Sequence, residues 1–273
     1  MIPYSLLKTR RESMLSRSVQ LGQFSEIEFT KQCNQKIFQY LNLPLYENHG
    51  CTYGVSGSPS PFLNGVIGSS LADADVSVAV RDISQFYHKN ELLHSWWMEV
   101  STEPSSLKDH LEKNGLKIVG AYPGMFLTVN ECVQPKSTEG LIIETVVQER
   151  DLNEWSHVIK NAFGFSESFT EHYASLFQAA GYKGSFCHLV GKIKGKVVST
   201  GTILFAEHGA YIYNAGTLEG EKKKGCCSNM IYALIQLAKA NNYSQVALTS
   251  SPLAVSLYQK LGFRQVCKYH IYA

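Results

Sequence analysis

The residues best placed to do chemistry lie in one basic turn near the C-terminal end of the chain. A strand-like run, Ala210 to Asn214, leads into Glu221-Lys222-Lys223-Lys224-Gly225, and Cys226-Cys227-Ser228 then opens a helix with apolar residues at helical spacing. The first N–H groups of a helix have no internal partner, and the helix dipole favours an anion there. Lysines before a glycine strengthen the pattern, because glycine lets the backbone approach a phosphate closely. The turn therefore predicts a phosphate-binding site.

Two common phosphate-binding motifs do not fit this turn. Gly220 and Gly225 have the glycine spacing of the nucleotide P-loop, but Cys226-Cys227 stands where that motif needs lysine followed by serine or threonine. The dinucleotide fingerprint G-x-G-x-x-G is also absent from the turn. What remains is a basic residue, a glycine and a small residue at the spacing Lys222-x-x-Gly225-x-Cys227.

This spacing resembles the pyrophosphate-binding turn of the GNAT superfamily of acyl-CoA-dependent N-acyltransferases. Lys222 takes the place of the usual Arg or Gln, and Cys227 takes the place of the second Gly or Ala. Downstream, the run from Ser251 to Phe263 is similar to the family's second signature, N-x-x-A-x-x-L-Y-x-x-x-G-F, with Ser251 replacing the asparagine. Because the two motifs occur in order, joined by a helix and a buried strand, residues 140–273 are identified as a member of this superfamily.

The resemblance implies a role for each residue of the two motifs. In the family, the central strand splays from its neighbour at a bulge, and its backbone groups hold the pantetheine and the acyl oxygen; by position these groups belong to Asn214, Ala215, Gly216 and Thr217. The other acyl-CoA-binding residues are then Lys222, Lys223, Lys224, Gly225, Cys226, Cys227, Ser228, Ser251 and Ala254. Tyr258 would be the general acid that protonates the leaving thiolate.

The sequence does not identify the general base. Glu207, His208 and Glu219 are candidates because they are near the strand, with Glu219 taken as the base, and a water chain is equally compatible. Cys226 and Cys227 fit better as small packing residues than as nucleophiles, because a bound ligand would cover them. The resemblance implies acetyl-CoA as a co-substrate, and because no metal-ligand spacing is present we expect no metal.

Composition and charge are those of an ordinary globular chain. The 273 residues can form one large or two medium domains, and 44% are hydrophobic and 18% charged. The net charge of +2 predicts no strong attraction to nucleic acid or to a membrane surface, and no apolar run is long enough to span a bilayer. The odd number of cysteines, seven, indicates reduced thiols, and with no signal peptide visible we expect a cytoplasmic protein.

An internal echo predicts two related halves. The segments 100–104 and 113–119 resemble the segments 248–252 and 260–266, and Gly115 and Gly262 would end equivalent helices before equivalent strands. We therefore expect an α/β fold of two tandem GNAT-like domains, residues 1–135 and 140–273, each with a central mixed β-sheet flanked by helices. The first would be a degenerate copy, since it has no basic glycine turn between Phe62 and Trp96.

The local patterns predict where the elements lie. Residues 1–45 are expected to form two helices, and the rest of the first half strands at 51–56, 62–67, 96–100, 117–122 and 125–129 with helices at 80–93 and 107–114. In the second half we expect strands at 141–147, 186–193, 197–205 and 245–249, a helix from a cap at Asp151 to Phe163, and a helix from Glu167 to Ala180.

The function that follows is transfer of an acetyl group from acetyl-CoA to a primary amine by direct attack in a ternary complex. One alternative is a non-catalytic module that binds coenzyme A or a protein partner, which the altered residues Lys222, Cys227 and Ser251 favour. Another is a tandem transferase with a bulkier acyl or aminoacyl donor. The acceptor and the oligomeric state are not encoded in any motif; we expect the acceptor near Phe163-Gly164-Phe165 and Tyr173.

Overall fold

The structure, a computed structural model, describes residues 25–101, 103–182 and 184–273. These residues form two compact units, each discontinuous in sequence. The N-terminal unit contains residues 30–125, 249–255 and 265–273, and the C-terminal unit contains residues 25–29, 126–248 and 256–264. The two domains predicted from the internal repeat, residues 1–135 and 140–273, stay a prediction. In the described ranges, no helix has the length and apolar character needed to cross a membrane.

The elements follow one another in a mixed α/β order. The first half contains α1 (Glu26–Tyr40), β1 (Leu45–Asn48), β2 (Cys51–Gly54), β3 (Gly65–Ser69), α2 (Val76–Lys89), β4 (Ser95–Glu99), α3 (Leu107–Lys113) and β5 (Ile118–Thr128). The second half contains β6 (Leu141–Thr145), α4 (Glu149–Phe163), α5 (Glu167–Ala180), β7 (Phe186–Ile193), β8 (Lys196–Phe205), β9 (Ala210–Thr217), α6 (Cys226–Ala240), β10 (Gln245–Thr249), α7 (Val255–Lys260) and β11 (Arg264–Tyr272).

Each unit is built on a mixed sheet, which confirms the predicted fold class. In the N-terminal unit the strand order is β1-β2-β3-β4-β11-β5, with β3 and β4 parallel and β4 antiparallel to β11. In the C-terminal unit the order is β10-β9-β8-β7-β6, with β9 and β10 parallel and the remaining pairs antiparallel. The order strand, helix, strand, helix, strand occurs in both halves, as the internal echo predicts.

Buried aromatic residues form the centre of each unit. Helix α2 turns one face inward through Val76, Ala79, Val80, Ile83 and Tyr87, a helical spacing that packs against Trp96 of β4. In the C-terminal unit, Trp155 of α4 and Phe177 of α5 are fully buried and lie edge-on at 5.3 Å. Each such side chain contributes roughly 1.5–3 kcal/mol by its burial.

The first half differs from the prediction in three places. The strand expected at 62–67 begins only at Gly65, because Pro61–Leu63 form a 3-10 helix whose N–H at Phe62 is capped by Ser60. The two strands expected at 117–122 and 125–129 are one strand, β5. Strand β1 was not predicted, since all four of its residues are exposed and give no alternation between buried and exposed positions.

Helix starts were also misplaced. Helix α2 begins at Val76, four residues before the predicted start at residue 80. Helix α4 begins at Glu149, so Asp151 lies in its first turn and is not the cap. The Asp151 carboxylate instead reaches back, its Oδ2 accepting from the Val147 N–H at 3.3 Å. Of the two helices expected in residues 1–45, α1 is present, and the stretch before residue 25 lies outside the described residues.

Candidate active site

Strand β9 separates from its parallel neighbour after two residues. It pairs with β10 only at Ala210 with Val246 and at Tyr211 with Ala247. On its other edge, the register with β8 shifts so that Asn214 and Ala215 lie opposite Gly201 alone. This is a β-bulge, which bends a strand and redirects its side chains. In the register of the described strands, residues 212–217 therefore have no partner on the side of β10.

Asn214 is fixed at the bulge by two hydroxyl groups. Its backbone has φ +56°, a left-handed conformation that asparagine tolerates better than most residues. Tyr173 of α5 donates from its Oη to Asn214 Oδ1 at 3.0 Å, and Thr200 Oγ1 donates to the Asn214 carbonyl at 3.0 Å. Burial raises the pKa of Tyr173, so this phenol keeps its proton and acts as the donor.

The same amide presents a donor that the protein does not use. Asn214 Nδ2 is buried and has no hydrogen-bond partner among the described residues. Buried donors are normally paired, so a lone one at a predicted ligand site is the kind of group that a bound carbonyl would satisfy. The sequence offered no signal for the pairing with Tyr173, because the two residues are 41 positions apart and belong to no common motif.

The turn after β9 offers a row of free backbone donors. Lys223 and Gly225 both have positive φ, +64° and +87°, and the first helical hydrogen bond of α6 runs from the Asn229 N–H to the Gly225 carbonyl at 3.0 Å. Within the described chain, the N–H groups of residues 223–228 have no backbone acceptor. Six consecutive donors at a helix N-terminus make a cradle for an anion.

Hydrogen bonds to residues 136–138, which come just before β6, hold this turn in place. Thr138 Oγ1 donates to the Lys224 carbonyl at 2.9 Å, and Asn229 Nδ2 donates to the Lys136 carbonyl at 2.9 Å. A Cβ at Gly225 would lie 2.7 Å from Thr138 Oγ1, so a side chain there would collide as well as strain the backbone. No sequence motif marks Lys136 and Thr138 for this role, since they precede their partners by about 90 positions.

Two of the three lysines of the turn form ion pairs at the surface. Lys222 Nζ lies 2.5 Å from Glu219 Oε2, and Lys224 Nζ lies 3.0 Å from Glu221 Oε2. Lys223 makes no ion pair with any described residue. Exposed pairs of this kind contribute about 0–1 kcal/mol, so a bound anion can compete with them.

Tyr258 and Cys227 lie close together behind the turn. Tyr258 of α7 is 6% exposed and packs edge-on against Phe263 at 5.6 Å between ring centroids. Burial, and to a lesser extent the nearby Cys227 thiol, raises the pKa of Tyr258 well above its ordinary value. Burial raises the pKa of Cys227 to about 11, while the adjacent Thr217 hydroxyl opposes that rise. Cys227 is therefore a neutral thiol at neutral pH, not a thiolate nucleophile.

The comparison with known protein families assigns this part of the chain to a family. Residues 151–263 match the model of the acetyltransferase (GNAT) family. Residues 151–263 are a GNAT domain. This confirms the resemblance found in the sequence. The match contains the bulge at Asn214, the basic turn and Tyr258.

Solved structures share the fold of most of this chain. A GCN5-related N-acetyltransferase from Kribbella flavida superposes with a TM-score of 0.72 at 16% identity, covering 89% of this chain and 94% of its own. One from Sphaerobacter thermophilus gives 0.62 at 15%, covering 82% and 76%. A tandem GNAT protein from the clavulanic acid biosynthesis pathway gives 0.58 at 8%, covering 81% and 77%. At such identities the likeness shows the fold alone. Curated proteins give no match by sequence.

Not every predicted residue comes near the bulge of the GNAT domain. Glu219 stands in a 3-10 helix with its side chain 87% exposed and paired to Lys222, and its role as base stays a prediction. Glu207 and His208 precede β9, whose residues 210–214 alone extend about 13 Å at 3.3 Å per residue, so neither touches the bulge.

Ser251 and Ala254 stay predictions for a different reason. Ser251 precedes a 3-10 helix, Pro252–Ala254, and its carbonyl accepts from the Ala254 N–H at 3.0 Å. Residues 249–255 belong to the N-terminal unit by their contacts. The local structure of Ser251 and Ala254 does not test their predicted role in binding acyl-CoA.

Proposed function

We propose that the C-terminal unit transfers an acetyl group from acetyl-CoA to a primary amine by direct attack in a ternary complex. The observation that carries this proposal is the row of unpaired N–H groups at residues 223–228, next to a strand that separates from its neighbour after two residue pairs. A diphosphate fits the first feature, because it presents acceptors and negative charge. An extended pantetheine fits the second, since the free strand edge offers backbone groups.

In this proposal the protein mostly positions reactants that are already activated. The amine nitrogen forms a bond to the acyl carbon while the carbon–sulfur bond breaks, the nitrogen loses a proton, and the thiolate leaves. The unpaired Asn214 Nδ2 is the donor at the bulge for the developing oxyanion, next to the edge of β9 that has no partner on the side of β10 after Tyr211 in the described strands. Both hydroxyls that bond Asn214 are poor bases, so in this scheme Glu219 or a chain of water molecules takes the amine proton.

Tyr258 stabilises the leaving group in this scheme. Burial raises its pKa, which keeps the proton on the phenol oxygen. An ordinary thiol has a pKa of about 8.5, so complete transfer from the phenol to the thiolate is uphill. A hydrogen bond from Tyr258 to the sulfur is therefore the larger part of its role as general acid. Because Cys227 is a neutral thiol, the transfer needs no acyl-cysteine intermediate.

Two measurements on the purified full chain test the proposal. Titration calorimetry with acetyl-CoA is expected to show one site, and a thiol-release assay with a panel of primary amines is expected to show turnover. Absence of binding at millimolar acetyl-CoA would sink the proposal. Binding without turnover for any amine would instead favour the non-catalytic module, whose support is the lack of a base bonded to Asn214.

A bulkier donor and the cellular location belong to the same proposal. Acetyl-CoA and longer acyl-CoA thioesters compared in the same assay decide the acyl chain, and we expect acetyl to be preferred. All seven cysteines are free thiols, four of them buried, which suits a reducing compartment such as the cytoplasm.

A further inference from the structure

A continuous row of aromatic rings lies beside the bulge of the C-terminal unit. Phe163 and Phe165 stack at 5.6 Å with an interplanar angle of 15°, Phe165 meets Phe169 at 4.6 Å, and Phe169 stacks on Tyr173 at 5.7 Å and 15°. Gly164 lies between the first two with φ +71°, ending α4 in the left-handed conformation and joining it to α5. We call Phe163, Phe165, Phe169 and Tyr173 the aromatic row.

The aromatic row touches the bulge at both of its ends. Tyr173 donates its hydrogen bond to Asn214. At the other end, a Cβ on Gly216 would lie 3.2 Å from Phe163 Cε2, so the Phe163 ring lies against the backbone two residues after Asn214. Phe163 is nevertheless 44% exposed, which is unusual for an aromatic ring beside a predicted reaction centre.

The chain next to Phe163 carries few charges for a polycationic acceptor, and the only further exposed carboxylate among the described residues 163–173 besides Glu167 is Glu171 of α5. Residues 161–166, Asn-Ala-Phe-Gly-Phe-Ser, contain no ionisable side chain. The nearest charges on either side of them, Lys160 and Glu167, form an ion pair with each other. A polyamine or aminoglycoside would need several free carboxylates to replace the water around its ammonium groups. A planar ring on the acceptor would instead stack on the exposed Phe163.

We propose that the acceptor is a primary amine carried on a neutral aromatic body, whose ring stacks on Phe163 while its nitrogen faces the bulge at Asn214. This inference rests on the proposed acetyl transfer and names the class of its second substrate. The expected gain from ring stacking is about 0.5–1.5 kcal/mol beyond the apolar area buried, or roughly two- to twelvefold in kcat/KM.

The test compares matched acceptors at saturating acetyl-CoA. We expect kcat/KM to be highest for 2-phenylethylamine, lower for its saturated analogue 2-cyclohexylethylamine, and lowest for spermidine. Changing Phe163→Ala should lower kcat/KM for 2-phenylethylamine about tenfold, mainly through KM, and remove its advantage over the saturated amine. Because Phe163 is partly exposed, this variant should fold, and Ile142→Ala, another exposed apolar residue at 61%, is the control.

The outcomes separate this inference from the function beneath it. Turnover with spermidine at least as efficient as with 2-phenylethylamine overturns the aromatic acceptor and leaves acetyl transfer standing. If Phe163→Ala changes neither the kinetics nor the affinity for acetyl-CoA, the aromatic acceptor is likewise overturned and acetyl transfer stands. Failure of the wild-type protein to bind acetyl-CoA in calorimetry overturns both proposals together.

Discussion

Two strand–turn–helix segments of this chain share a backbone plan but differ in what they can bind. In the C-terminal unit, β9 pairs with its parallel neighbour at two positions and carries a bulge. In the N-terminal unit, β3 pairs with parallel β4 at two positions, Gly65 with Ser95 and Val66 with Trp96, and its register with β2 shifts so that Ile67 is an extra residue. Strand separation and a bulge are thus properties of the fold in both units.

The turns that follow these strands have opposite charge. Lys222, Lys223 and Lys224 precede α6, whereas Asp73 and Asp75 precede α2, with Asp73 bonded to Ser106 at 2.7 Å. Carboxylates at a helix N-terminus already complement its dipole and repel a phosphate. The two turns show that the helix N-terminus alone does not make the site, since both helices have one.

Side chains also occupy the region around β3. Gln35 Nε2 lies 1.9 Å from where a Cβ on Gly68 would be, so the amide covers that backbone, and Ser69 Oγ donates to the Glu103 carboxylate. Counting four residues back from Gly115 and from Gly262, Leu111 stands where the GNAT domain has Tyr258. The N-terminal unit shares the backbone plan, including a helix N-terminus, but has carboxylates in place of the lysines and Leu111 in place of the phenol.

The largest effect should come from giving the lysine turn before α6 the negative charge of the turn before α2. Lys223→Asp combined with Lys224→Asp is expected to raise the dissociation constant for acetyl-CoA roughly 30- to 900-fold, because each reversed charge costs roughly 1–2 kcal/mol beside a diphosphate. Calorimetry at low and high salt measures the effect and its screening. The charge-matched control is Lys113→Asp with Lys117→Asp in the N-terminal unit, and an equal loss in that control would contradict the contrast between the turns.

Much of this contrast between the two turns could be predicted from the sequence, because it depends on residues that are close together in the chain. The basic turn, Gly225 and Tyr258 could be predicted because each lies in a short motif whose chemistry is fixed by neighbours in the chain. The family, both mixed sheets and the helix-ending glycines, with φ +90° at Gly115 and +100° at Gly262, followed from the same local signals.

The remainder depends on residues that are distant in sequence. Tyr173 meets Asn214, and Thr138 meets Lys224, only after the sheet has formed. Exposed β1 gives no periodic signal, and the two-part assignment of β5 placed a break near Pro123, which the strand in fact contains. No motif identifies the base, and the structure adds no candidate, since no carboxylate or imidazole of the described residues bonds Asn214.

The second effect separates the phenol of the GNAT domain from its counterpart in the first half. Tyr258→Phe is expected to lower kcat about 10- to 100-fold, because a hydrogen bond to a developing charge is worth about 1.5–3 kcal/mol. The dissociation constant for acetyl-CoA should stay within about twofold, since the ring still packs on Phe263. Pre-steady-state and calorimetric measurements give the two quantities. A fall in affinity with an unchanged kcat would assign Tyr258 to packing.

The third effect tests the shape of the turn without changing its charge. Gly225→Ala should weaken acetyl-CoA binding about tenfold, because alanine at φ +87° costs roughly 1–2 kcal/mol and its Cβ would meet Thr138. Gly220→Ala is the matched control, since Gly220 has no neighbour within 4 Å of a built Cβ. Equal affinity of the two variants would mean that the conformation at Gly225 does not matter for binding.

The smallest effect compares one buried histidine from each unit. Burial lowers the pKa of His94 to about 4 and that of His188 to about 3, and the Nε2 atoms of both are buried without a partner among the described residues. His94 stacks on Tyr87 at 4.6 Å, and His188 Nδ1 bonds Thr202 Oγ1 at 2.8 Å. Both rings are therefore neutral in the folded chain at neutral pH.

Acidification should then destabilise the fold through both histidines. Their pKa is depressed on folding, so below the unfolded value of about 6.5 the unfolded chain binds protons that the folded chain does not, and stability falls with pH. From pH 7 to pH 6 each histidine should remove about 0.7 kcal/mol from the free energy of unfolding. His94→Gln and His188→Gln, measured by urea unfolding at the two pH values, should each reduce this loss by that amount. If only one of the buried pair does so, the other ring is protonated in the folded protein and the symmetry between the units fails at that position.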